Sequence, residues 1–300
     1  MTRVRAPGKL LLTGAYAVLD GAPAIVVAVD RYAVADGSRH AASPPPEVRA
    51  AFGSEPPPEV DVQQLRDASG RKLGLGSSAA AVVAAVGWRA LSRGEDPRLP
   101  IVRSRIFRAS RAAHARVQSG GSGVDVAASV HGGALRYALS DSGAVVRALE
   151  PPADLILRVY FSGTSARTSD LLRLVDRHRG RDPKARVFAD LRDRAEQASE
   201  AFASPAGRFV AAARSFGDAL DALGSAADVP IVPPAFRDLA RAAEVEGGAF
   251  LPSGAGGGDV GVWIGTAPPS PSFEALAAIA AVHLVPLELD RGGVRPESVS

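Results

Sequence analysis

A chain of 300 residues, 46% hydrophobic and 22% charged, has the composition of a globular protein and the length for two medium domains. It contains no cysteine, which excludes a disulfide scaffold, a cysteine-zinc or iron–sulfur site and a thiol nucleophile. The formal net charge is only +3, and the arginines are scattered at helical spacing with no basic tract. No apolar run is long enough for a signal peptide or a membrane span. The expectation is a cytoplasmic protein, monomer or homodimer, whose partner is a small anionic molecule and neither nucleic acid nor a membrane.

In chain order, the first 37 residues read as strands and turns, with short strands at 9–13 and 24–29. Residues 43–60 hold two copies of Pro-Pro-Pro-Glu-Val and read as an irregular polyproline-like loop. An alanine-rich helix is expected at 77–91, capped by Ser77 or Ser78. A second helix at 101–118 ends in Ser119-Gly120-Gly121-Ser122-Gly123. A third opens at Val124 and stops at Gly132-Gly133. A buried strand at 155–161 is followed by amphipathic helices at 184–202, 207–223 and 234–246. The strand 260–264, a helix at 272–281 and a closing strand at 283–289 complete the chain. The irregular alternation predicts an α+β protein in two parts, 1–152 and 153–300.

Four glycine-containing loops carry the chemical signal. In Gly74-Leu75-Gly76-Ser77-Ser78-Ala79, glycines let backbone N–H groups approach an anion, and the following helix adds the positive end of its dipole. Taken alone, this loop reads as a phosphate site, a dinucleotide fingerprint or a plain helix start. The fingerprint lacks its preceding buried strand, and no G-x-x-x-x-G-K-[ST] occurs anywhere. The second loop, Ser253-Gly254-Ala255-Gly256-Gly257-Gly258-Asp259, is poor packing material and suggests backbone approach to a ligand. The third, Ser122-Gly123-Val124-Asp125, places a carboxylate on a new helix. The fourth is Pro7-Gly8-Lys9, holding one of only three lysines, with Lys72 and Lys184; a compact point charge suits phosphate.

The order of these motifs, from residue 7 to residue 259, resembles the GHMP kinase superfamily. The resemblance implies a ribosomal-S5-like N-terminal domain followed by a ferredoxin-like C-terminal domain. It implies that Gly74, Leu75, Gly76, Ser77, Ser78 and Ala79 wrap the phosphates of ATP, with Ser78 on Mg²⁺. Asp125 would face the substrate hydroxyl as catalytic base, and Lys9 would orient both. A lysine beside Asp125 would favour the ionised carboxylate. The substrate would contact Lys9, Tyr16, Ser122, Gly123, Ser165, Ala166, Thr168, Ser253, Gly254, Ala255, Gly256 and Asp259, with the late loop closing over it.

Within the superfamily, the chain is most similar to phosphomevalonate kinases. Tyr16 stands where mevalonate kinases carry histidine. Ala113-His114 through Gln118 precedes the Asp125 motif, and 161–171 is similar to that branch's W-x-G-x-x-A-S-T-x-x-L segment. Departures are Arg167 in place of a serine, a short turn between Gln118 and Asp125, and His114 near the position of a metal-binding glutamate. The implied reaction converts 5-phosphomevalonate and ATP to 5-diphosphomevalonate and ADP. The alternatives are mevalonate kinase, another small-alcohol or sugar kinase, and a catalytically silent ligand sensor on the same fold. Tyr16 and Trp263 also read as core residues, His114 as a structural helix residue, and Arg136 and Arg167 as either substrate-anion or surface arginines.

Overall fold

The computed structural model describes residues 3–118, 120–164, 168–182 and 185–297. Two long strands open the chain, β1 (Arg3–Thr13) and β2 (Ala24–His40), joined through a short 3-10 turn at Ala17–Asp20. Both are mostly buried along their apolar stretches. The Pro-rich segment is ordered: it forms α1 (Pro46–Phe52) and β3 (Pro58–Asp61), correcting the expectation of an irregular loop. Proline at the first helical position pre-sets the backbone angle and loses no needed N–H. Val48 and Phe52 are buried, and the helix packs on α2 (Ser77–Ser92) and α3 (Pro100–Val117). Arg89 and Arg116 donate to the carbonyls of Ala51 and Ala50 at 3.1 and 2.8 Å, tying down its C-terminal turn. Next come α4 (Val124–His131), β4 (Ala134–Ser140) and β5 (Gly143–Leu149), the last two unforeseen.

The second half holds β6 (Ile156–Phe161), α5 (Thr168–Arg181), α6 (Arg186–Ala201), α7 (Ala206–Ala227), α8 (Pro234–Val245), β7 (Ala249–Pro252), β8 (Val260–Gly265), α9 (Pro271–Ile279), β9 (His283–Val285) and β10 (Arg295–Pro296). The closing strand is shorter than expected because Pro286 cannot donate to a ladder. One sheet runs β10-β1-β2-β4-β5, with β3 also on β2; the other runs β7-β8-β6-β9. In the second, β6 and β8 pair antiparallel from Ile156 opposite Gly265 to Phe161 opposite Val260.

The chain makes two compact units, each discontinuous in sequence. One comprises Met1–Leu10, Val26–Leu135 and Glu288–Ser300, the other Leu11–Ile25 and Arg136–Leu287. In the first, α2 is buried almost all round, from Ala79 to Gly87. Its alanines let α3 and α4 approach closely, which fixes where the loop before α2 and the start of α4 stand. In the second, Trp263, Phe236, Phe250 and Phe273 form an edge-to-face cluster, with Trp263 and Phe273 at 4.7 Å. Truncating such an aromatic costs about 3–5 kcal/mol. Trp263 donates to Ala267 O at 3.1 Å and belongs to this core.

Candidate active site

In the first unit, the geometry converges on Lys9. Its side chain is buried, and Nζ lies 3.7 Å from Asp125 Oδ1 and 3.4 Å from Gly74 O. The Lys9 N–H donates to Leu75 O at 2.9 Å, so the loop 74–76 runs against the strand. Gly8 permits this approach, because a Cβ there would stand 2.8 Å from Leu75 O. At 3.7 Å the ion pair is longer than a direct hydrogen bond, and Nζ keeps donors for another oxygen. Asp125 lies in the first turn of α4, where the helix dipole also favours a negative charge.

The loop enters α2 through Gly76, at φ 76° and ψ 35°, a left-handed conformation that glycine adopts without strain. A Cβ at Gly76 would lie 2.9 Å from Lys9 Cγ and 3.7 Å from Asp125 Oδ2. No side chain caps α2: neither Ser77 nor Ser78 performs the expected capping, because Gly76 occupies the cap position and the serines are the first helical residues. The N–H groups of the first turn therefore have no intrahelical partner. Ser77 is buried and Ser78 half-buried. Ser122 Oγ accepts from Val124 N–H at 3.3 Å, and Gly123 is the residue before α4. Lys9, the loop 74–79 and Asp125 are thus brought together.

The second unit assembles a different group. Tyr16 is buried and left-handed, at φ 61°. Its hydroxyl donates to Ala255 O at 2.7 Å. Burial, reinforced by the charge of Asp176, raises its pKa, so it remains a neutral donor. Ser253 Oγ accepts from Leu11 N–H at 2.9 Å. Gly257 N–H donates to Ile231 O at 2.9 Å, Asp259 N–H to Thr164 O at 3.1 Å, and Ser162 N–H to Asp259 O at 2.9 Å. The glycine-rich loop is therefore tied at five points. Arg179 pairs with Asp20 at 2.7 Å and stacks on Phe188 at 4.1 Å, fixing the 3-10 turn that follows Tyr16. Ser165, Ala166 and Arg167 lie outside the described residues, and Thr168 begins α5. Arg136 is engaged by Ser199 Oγ at 3.0 Å and Glu196 at 3.4 Å. The supports at Leu11, Thr164 and Ile231 carry no sequence signal, because each acts through a backbone group.

Among the described residues, no group of three or more His, Asp or Glu could hold a metal ion, and no helix is long and apolar enough to cross a membrane.

Residues 48–133 match the family described as GHMP kinases N terminal domain. A phosphomevalonate kinase of Streptomyces sp. (strain CL190) is 30% identical over an alignment of 333 positions, covering 86% of this chain and 88% of that protein. The chain belongs to the GHMP kinase family. Solved structures share the GHMP kinase fold: the Lin0012 protein from Listeria innocua has a TM-score of 0.82 at 24% identity, covering 99% of each chain. The phosphomevalonate kinase of Streptococcus pneumoniae in complex with phosphomevalonate and AMPPNP has a TM-score of 0.80 at 19% identity, covering 96% of this chain and 100% of that one.

Proposed function

We propose that this kinase transfers the γ-phosphoryl group of ATP to 5-phosphomevalonate, giving 5-diphosphomevalonate and ADP. The observation that carries the transfer is the pair of buried Lys9 and half-exposed Asp125 beside the uncapped start of α2. The choice of acceptor is supported by the likeness to the Streptomyces phosphomevalonate kinase. The first-turn N–H groups of α2 and the Lys9 ammonium would hold the triphosphate, and the Ser78 hydroxyl would share Mg²⁺ with the phosphate oxygens. Magnesium bound there neutralises charge on the transferring group.

The acceptor's chemistry changes the part played by Asp125. A phosphate monoester loses its second proton at roughly pH 6, so its attacking oxygen is already ionised at neutral pH. Proton removal is a small part of the barrier. Repulsion is larger: two like unit charges about 4 Å apart repel by roughly 4 kcal/mol at an effective dielectric of about 20. Lys9 offsets only part of that repulsion, because it is shared with Asp125, which holds the ammonium in place and accepts any residual proton.

The test is a coupled ADP-release assay with phosphomevalonate, mevalonate and galactose as separate acceptors. Turnover of phosphomevalonate far above the other two is expected. Turnover of mevalonate or galactose alone refutes the acceptor, and ATP binding without ADP formation from any acceptor refutes the enzyme in favour of a ligand sensor.

A further inference from the structure

Lys9 is shared with Asp125 at 3.7 Å, so the pair contributes little net positive charge. That suffices for a neutral alcohol. A phosphorylated acceptor needs a further cation, and the structure offers one in the same unit. Arg111 lies on α3, half-buried. Its side chain crosses Gly123, with Nε 3.0 Å and Cγ and Cδ 2.9 Å from where a Cβ there would be. Gly123 stands two residues before Asp125, at the entry to α4.

Three of the other four arginines of α3 are already engaged. Arg103 donates to Gly292 O at 2.5 Å, Arg105 pairs with Glu95 at 2.9 Å, and Arg116 donates to Ala50 O. Arg108 is exposed. Among the described residues, Arg111 has no hydrogen-bond or ion-pair partner. Half-buried guanidinium groups ordinarily find a carboxylate, carbonyl or phosphate, because their five donors are costly to leave unmet. The planar fork matches a phosphate in two-point contact.

We propose that Arg111 is a specificity-determining residue that receives the phosphate of the acceptor. The assignment rests on the phosphorylated-acceptor reading above. The nucleotide is served by the start of α2 and by Lys9, so the effect of Arg111 falls on the acceptor.

The experiment compares wild type, Arg111→Met and Arg111→Lys in steady-state kinetics, varying phosphomevalonate and ATP in turn. Arg111→Met is expected to raise the KM for phosphomevalonate about 10- to 100-fold, the ratio for losing a hydrogen bond to a charged group. The KM for ATP should change less than about twofold, and Arg111→Lys should recover part of the loss because it keeps the charge without the fork. Circular dichroism shows which variants are folded; if Arg111→Met is not, Arg111→Lys carries the comparison, with an intermediate KM expected. An unchanged KM for phosphomevalonate, or a rise confined to ATP, overturns the proposal. Failure of wild type to use phosphomevalonate overturns both this proposal and the reading it rests on. Wild-type turnover of phosphomevalonate with an unaffected variant overturns this one alone.

Discussion

Replacing Gly76 by alanine separates the cost of backbone strain from the cost to chemistry. At φ 76° an alanine is held left-handed, at about 1–2 kcal/mol. With roughly 2–4 °C of Tm per kcal/mol, the melting temperature should fall by only a few degrees. The new Cβ would also sit 2.9 Å from Lys9 Cγ and 3.2 Å from Lys9 Cε, closer than carbon atoms pack. The strand holding the Lys9 backbone cannot yield, so the side chain must move. A displacement of about 1 Å at a positioned group costs on the order of 100-fold in rate. Thermal melting and steady-state kinetics on Gly76→Ala should therefore show a small loss of stability and about a hundredfold loss of kcat. Gly247→Ala is the control: φ there is also 76°, in the turn that closes α8, and nothing lies within 4 Å of the added methyl. It should carry similar strain and keep full activity. Equal kcat losses in the two variants, or none at Gly76→Ala, would refute the placement of Lys9.

Tyr16→Phe leaves the Ala255 carbonyl without its donor, a cost of about 1–3 kcal/mol. It should lower stability by that amount and raise the KM of the acceptor more than that of ATP; unchanged KM values would show that the tie at Ala255 does not position the loop. Asp290 is buried and accepts from Arg295 at 2.6 Å, Tyr32 at 2.8 Å and Gly293 N–H at 2.8 Å. Burial alone would raise its pKa, but these bonds and the Arg295 charge together hold it below the usual carboxylate value. A depressed folded pKa adds stability above the unfolded value of about 3.9 and loses it as pH falls through the folded value. The stability gap between wild type and Asp290→Asn should thus be full at pH 7 and shrink below about pH 4. A gap independent of pH, measured by thermal melting across that range, would contradict the ionised Asp290.

Much of this architecture was legible because its signals are local. Helix α2 announces itself by alanines, and α3 and α4 by the glycines that stop them. The Pro-rich segment misled because a proline run also suits a helix start, as at Pro46. The β4–β5 hairpin was missed because its strands are short of strict alternation. The site divides in the same way. Lys9, the loop 74–79 and Asp125 each sit in a glycine-marked turn that sequence reveals. The bonds from Tyr16 to Ala255 and from Leu11 to Ser253 join residues 239 and 242 positions apart, and no local pattern encodes them. Arg111 was hidden among similar arginines, since only the fold shows which of them have partners.

In the proposed reaction the acceptor already bears a phosphate. Phosphorus-31 NMR of the reaction mixture, with ATP and phosphomevalonate supplied, tests it most directly. A new pair of mutually coupled resonances from a diphosphate ester is expected, growing as ATP is converted to ADP. ADP formation with only an uncoupled phosphomonoester signal in the product, or with no new ester at all, would contradict it.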